Sequence, residues 1–250
     1  MSRVRPAAAP RRPPVRPSVV PPPARPAAEP STQTKASTVL DRLRAAIVHG
    51  THAPGEKLRL EHLAPLYGVG RTPLREACCR LASEGLVTIE DQRGFRVATI
   101  SRGDLLDLTR TRQQIEPLAL RASILRGDIA WEGEVTAALH RLQRAGEPAR
   151  RGADPADTWA SEHARLHAGL LAACDSPLLL RFCATLFEQS ERYRRIAAAC
   201  GQPDRDIHGE HAALVRAALG RDTERAAALW VEHIARTTDR VLAFLPALEA

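Results

Sequence analysis

The chain contains no run of about 18 apolar residues, so nothing in it would cross a bilayer as a helix. Its N-terminus has no continuous apolar segment, which excludes a secretory signal, and its prolines would break the amphipathic helix of a transit peptide. Cysteines are few: Cys78, Cys79, Cys174, Cys183 and Cys200 are odd in number and fit no zinc module. A reducing, cytoplasmic setting follows, with most of these thiols acting as small core residues. No His-Glu-x-x-His pattern exists and no acid stands out as a general base, which argues against a metal-dependent hydrolase. No internal repeat shows, and no strand-like alternation appears after Ser101.

What is present is enough apolar sequence for two small cores, 44% of 250 residues. The net charge is +7, but residues 1–34 hold six arginines against Glu29, so the basic excess is mostly a tail. Ten of the first 30 residues are proline. Such a segment cannot bury enough surface to offset its ordering entropy, and reads as a disordered leader or a basic arm that attracts phosphate.

Ordered sequence is expected from about Lys35. Ser37 is placed to cap a helix whose apolar face is Val39, Leu40, Leu43 and Ile47, with Gly50 as its stop. A turn at Pro54-Gly55 precedes a short helix over Glu61–Tyr67, in which Pro65 should cost one backbone hydrogen bond. A third helix runs from Arg71 to about Glu84 with Leu74, Cys78 and Leu81 inward. Strands follow at Leu86–Ile89 and Phe95–Thr99, joined by a turn over Asp91–Gly94. Three helices and a hairpin make a winged helix-turn-helix. Beyond it lie helices at about 102–126, 131–146, 154–174, 177–199, 205–219 and 222–244, with Pro117 expected to kink the first. The chain is thus mainly α: a leader (1–34), a winged helix-turn-helix head (35–100) and an all-helical bundle (101–246).

Arg71 and Arg75 are four apart, on one face at the start of the third helix, where a guanidinium can bond two acceptors of a guanine or clamp a phosphate. Thr72 adds a hydroxyl, and the helix N-terminus favours phosphate. His163 and His167 are also four apart on one helix, while His211 and His233 lie on the last two; imidazole is a common ligand of zinc and related metals. Arg112 and Glu116 stand at ion-pair spacing. Cys78 and Cys79 on the third helix leave a thiol-based redox regulator as an alternative.

The run Gly68-Val69-Gly70-Arg71-Thr72-Pro73-Leu74-Arg75-Glu76-Ala77, then Arg80-Leu81, Glu84-Gly85-Leu86-Val87 and Arg93-Gly94, closely resembles the DNA-binding domain of GntR-type regulators. The upstream Leu43-Arg44 to Ile47, Gly50, Pro54-Gly55 and Leu63-Ala64 match it too. The rear half resembles the FCD ligand-binding domain of the FadR-like branch, through Arg112 with Glu116-Pro117-Leu118-Ala119, the His167 segment, Glu210-His211, Gly220-Arg221-Asp222 and the helix reaching His233.

The resemblance implies a dimeric, ligand-responsive transcription regulator, usually a repressor, on an inverted-repeat operator. It implies DNA contacts from Arg71, Thr72 and Arg75 and from the wing tip, Gln92, Arg93 and Gly94. Gly70 stands where the family usually has Ser or Thr, so one side-chain phosphate contact is missing. The resemblance further implies a divalent metal held by His167, His211 and His233, with His163 in the place of the usual Asp. Either His163 ligates, shifting preference toward zinc or nickel, or it does not. Arg112 is implied to help grip a small organic acid beside the metal. A fatty-acyl effector without metal is the other family mode, and retention of the three histidines argues for the metal version.

Overall fold

The structure, a computed structural model, describes residues 35–91, 93–145, 155–198 and 205–245. The leader, Gln92 and the breaks around 146–154 and 199–204 lie outside them.

The head consists of α1 (Lys35–Val48), β1 (Lys57–Leu58), α2 (Leu60–Tyr67), α3 (Arg71–Ser83), β2 (Val87–Glu90) and β3 (Gly94–Val97). Leu43, Ile47, Leu74, Leu81 and Leu86 are almost wholly buried together and form its core. Truncating one of these leucines to alanine costs roughly 2–5 kcal/mol, because the site relaxes only partly around the void. Gly68 closes α2 in the left-handed conformation (φ 66°), where only glycine is unstrained.

Two expectations change here. Ser37 lies inside the first turn of α1 rather than at its cap, since the helix already includes Lys35. The wing also has a third strand: Lys57 pairs with Arg96, and Leu58 with Phe95, giving the antiparallel order β1-β3-β2. A two-residue strand is too short to leave a period in sequence, and exists because β3 offers it a free edge. β2 starts and ends one residue later than expected, and β3 starts one residue earlier and ends two earlier, with Val87 opposite Val97 and Glu90 opposite Gly94.

The bundle is α4 (Arg102–Arg126), α5 (Ile129–Ala145), α6 (Pro155–Leu171), a 3-10 turn (Ala172–Cys174), α7 (Pro177–Ala198), α8 (Ile207–Leu219) and α9 (Thr223–Phe244). Local chemistry sets several starts. Ser101 accepts the Asp104 amide at 3.0 Å, Asp206 that of Gly209 at 2.7 Å, and Asp222 that of Arg225 at 3.0 Å. Helix α4 continues through Pro117, which is buried, and packs against α6, α7 and α9. Leu120, Ile124, Leu142, Leu166, Leu170, Leu214 and Trp230 fill the core between the helices. No described helix is long and apolar enough to cross a membrane.

Helix α7 joins head to bundle. Gln189 donates to the Glu84 carbonyl, at the end of α3, at 2.7 Å. Glu188 pairs with Arg44 of α1 at 3.1 Å, Arg192 donates to the Ala98 carbonyl, and the Ser101 amide donates to the Tyr193 hydroxyl.

Candidate functional site

The first site is the leading edge of α3. Gly70 precedes the helix in an extended conformation with no side-chain cap, so the amides of the first turn keep no side-chain acceptor at that position. Leu74, Ala77, Cys78 and Leu81 point inward, which leaves Arg71, Thr72 and Arg75 exposed on the opposite face. Both arginines line a shallow groove whose other wall carries Arg93 and Gly94 of the wing. Lys57 and Arg59 line it as well. Sequence reading missed these two. The exposed-buried-exposed alternation of Lys57, Leu58 and Arg59 is their only local mark. Glu61 shares the groove. A backbone hydrogen bond, with lesser help from His62, Arg71 and Arg59, holds its carboxyl below the usual range. Gln92 lies outside the described residues.

Cys78 is packed in the head core, and burial pushes its thiol up to about 12. A sensor needs thiolate, which burial denies to Cys78, while Cys79 beside it is exposed.

The second site is a cluster of histidines inside the bundle. His163 and His167 come from α6, His211 from α8 and His233 from α9. One ring nitrogen from each lies within 4.8 Å of the others, and all four residues are buried. Both ring nitrogens of His163, His167 and His211 make no hydrogen bond. Buried polar atoms are almost always hydrogen-bonded. Six orphans in one place therefore need a shared explanation.

The charge state narrows it. Burial, then the neighbouring imidazoles, holds His163 and His167 well below the ordinary histidine value. His211 is pushed down to about 2, again first by burial. Burial also lowers His233, although its hydrogen bond to Glu210 works the other way. The rings are thus neutral, which is the form that ligates. His233 Nδ1 lies 2.9 Å from Glu210 Oε2, leaving Nε2 as its other ring nitrogen. A carboxylate on the far nitrogen is the usual device for orienting a metal-bound histidine. Burial raises the Glu210 pKa, but hydrogen bonds from Arg205, His233 and Arg236 outweigh it and hold the carboxylate ionised. Neutral imidazoles are ligands of zinc and nickel, with distances of about 2.0–2.1 Å for zinc. His163 belongs to the set by position: its ring centroid is 4.4 Å from that of His167 and 5.1 Å from that of His211.

A cavity of about 810 Å³ opens beside the cluster. Its lining includes His167, Glu116 and Trp230 of the bundle, Ala45 and Val48 of α1, and Leu171, Leu180, Cys183 and Phe187, the last with its ring centroid 5.2 Å from that of His167. Arg112 sits behind this wall. Its Nε and Nη2 donate to the two Glu116 oxygens at 2.7 and 3.2 Å, and its Nη1 to Ser190 Oγ at 2.6 Å. Glu116 Oε2 also accepts the Trp230 indole N–H at 2.7 Å. The ion-pair spacing seen in sequence is therefore realised, and at full burial.

The family pattern for bacterial regulatory proteins of the gntR family matches residues 35–97, and that for the FCD domain matches residues 107–236. The HTH-type transcriptional regulator BphR of Paraburkholderia xenovorans (strain LB400) is 41% identical over 196 residues, covering 77% of this chain and 79% of that protein. The HTH-type transcriptional repressor GlaR of Escherichia coli (strain K12) is 36% identical over 196 residues, covering 77% and 89%. The solved structure of E. coli McbR/YncC has the same fold: TM-score 0.73 at 19% identity, over 84% of this chain and 98% of that one.

Proposed function

Because the chain belongs to the gntR family of bacterial regulatory proteins and carries an FCD domain, we propose that this DNA-binding transcription regulator is a cytoplasmic homodimeric repressor, released from an inverted-repeat operator by a small organic acid bound beside a divalent metal. It is not an enzyme: its relatives and both matched domains are those of transcription regulators.

The metal reading rests on one observation. Six buried ring nitrogens on three neutral imidazoles make no hydrogen bond, and a fourth imidazole oriented by Glu210 joins them. His163, His167, His211 and His233 would hold zinc or nickel. A bound divalent ion supplies a positive charge to which a carboxylate ligates. Arg112 positions Glu116 and, through it, Trp230 at the cavity wall, so it serves the pocket from behind.

At the head, Arg71, Thr72 and Arg75 would enter the major groove while Gln92, Arg93 and Gly94 reach the backbone or minor groove. Lys57 and Arg59 add phosphate contacts on the same surface. One head reads one half-site, so two copies are needed for the operator. Leu118 and Leu125, seven apart on α4, are 54% and 74% exposed, and Ile129 beside them is 87% exposed. Such a stripe suits a second copy. Repression is favoured by the printed role of GlaR. The acid acts by binding the operator-incompetent arrangement better, and α7 carries the bias because one of its faces lines the cavity and the other holds Glu84 and Ala98 of the head.

The test is a fluorescence-anisotropy titration of the protein on its own promoter region, with and without zinc and a set of organic acids, alongside metal analysis by mass spectrometry. The reading requires one tightly held divalent ion per chain and acid-dependent release. A protein stripped of metal that holds and releases DNA unchanged sinks the metal-dependent mechanism.

A further inference from the structure

We propose that helix α1 of the DNA-binding head supplies one wall of the effector site, and that this wall selects an acid carrying an ammonium group at the end away from its carboxylate; the inference rests on the effector-binding reading above.

The cavity does not belong to the bundle alone. Asp41, Arg44, Ala45, Val48 and His49 of α1 line it together with His167, Glu116 and Trp230. The spacing of those five residues puts them on one face of α1, so that face is turned to the cavity. A ligand there touches head and bundle at once. His167 is 3% exposed, and neither of its ring nitrogens makes a hydrogen bond. Beside it a metal and a carboxylate would meet.

The carboxylates of the lining decide what else the cavity can take. Glu116 is held by Arg112 through both its oxygens. Glu191 is held by Arg194 and Arg195. Asp41 and Glu188 remain, and both share Arg44 with Glu84. The two Glu84 oxygens each lie 2.7 Å from Arg44 Nη2, whereas Glu188 Oε2 meets Arg44 Nε at 3.1 Å. One guanidinium thus serves three carboxylates. Asp41 is exposed to water. Glu188 is not so well placed: burial pushes its carboxyl above the ordinary range against the pull of Arg44, and Glu84 and Asp41 add to the rise.

An ammonium group beside Glu188 would supply the positive charge this corner lacks, in a charge-assisted hydrogen bond. A second carboxylate there would meet like charge. His49 and Ser161 add polar lining, while Ala164, Leu171, Leu180 and Cys183 suit methylenes between the two charged groups.

Isothermal titration of the zinc-loaded full chain tests this with 4-aminobutanoate, 6-aminohexanoate and 8-aminooctanoate, each against the unsubstituted acid and the diacid of the same length. At one length or more, the amino acid should bind at least tenfold tighter than both. Glu188→Gln, which keeps the shape and removes the charge, should abolish that preference and leave zinc stoichiometry and the affinity for the unsubstituted acid at wild-type values. A merely structural role of Glu188 would weaken all the acids alike. Ala45→Phe fills the α1 side of the cavity without touching a charge, and should weaken every acid at least tenfold while zinc is retained. No preference for the amino acid at any length, a preference that survives Glu188→Gln, or binding indifferent to Ala45→Phe overturns the inference and leaves the effector reading standing. Wild type that binds no acid of any kind overturns the effector reading as well.

Discussion

Replacing His211 by leucine separates a metal centre from an ordinary packed core, because the two predict opposite signs in the metal-free protein. His211 is 1% exposed and both its ring nitrogens lack partners. Each unsatisfied buried polar group costs about 1–3 kcal/mol. Leucine has similar bulk and no polar atoms, so in chelator the variant should be as stable as wild type or more so, by about 1–3 kcal/mol. With metal the order reverses. Zinc at a thousandfold above its dissociation constant stabilises the wild type by about 4 kcal/mol, which raises the melting temperature of a chain this size by about 8–16 °C. Each tenfold loss of affinity removes about 1.4 kcal/mol. A hundredfold loss on removing one ligand then leaves a zinc-induced gain of about 3–6 °C. Differential scanning fluorimetry in chelator and in excess zinc measures both quantities. A zinc shift as large in the variant as in wild type, or a metal-free variant several kcal/mol less stable than wild type, would refute the reasoning.

Arg71→Ala should cost about 1–3 kcal/mol in specific operator binding, whereas Lys57→Ala should weaken binding on all sequences and lower the salt slope by about 1; anisotropy titrations over a salt series distinguish them, and a salt slope unchanged in Lys57→Ala removes it from the interface. Gln189→Ala breaks the bond from α7 to the Glu84 carbonyl, so operator affinity should become less responsive to acid while acid affinity, measured by calorimetry, holds; an unaltered response counts against α7 as the coupling element. Metal-free protein should also be acid-sensitive. His163, His167 and His211 stay neutral when folded because burial lowers their pKa values, so below about pH 6.5 the unfolded chain takes up protons that the folded one refuses. Stability is then present above that pH and lost as pH falls, by about 1.4 kcal/mol per group per unit. Thermal melts in chelator from pH 7.5 to 5.5 record the loss, and a flat profile refutes it.

Much of this architecture can be read along the chain, because the determinants are local. Ser101, Asp206 and Asp222 cap helices within three residues of themselves, and Gly68 needs only its own left-handed backbone to end α2. The inward set Leu74, Cys78 and Leu81 follows from helical period alone. Arg71, Thr72 and Arg75 follow as the face left over. Where the signal was shorter than one period it vanished, as with β1, and with it Lys57 and Arg59.

The sequence by itself determined the order of the helices and the hairpin, the exposed face of α3 and the four histidines as candidates, since each depends on residue type and spacing within one segment. Tertiary structure alone decided that those histidines face one another, that Glu210 orients one of them, and that Arg112 is spent on Glu116 and Ser190 while Trp230 donates to the same Glu116. Such facts depend on helices 20 to 120 residues apart packing at one rotation about their axes, and that rotation is set by burial of the whole apolar face, which no single segment encodes.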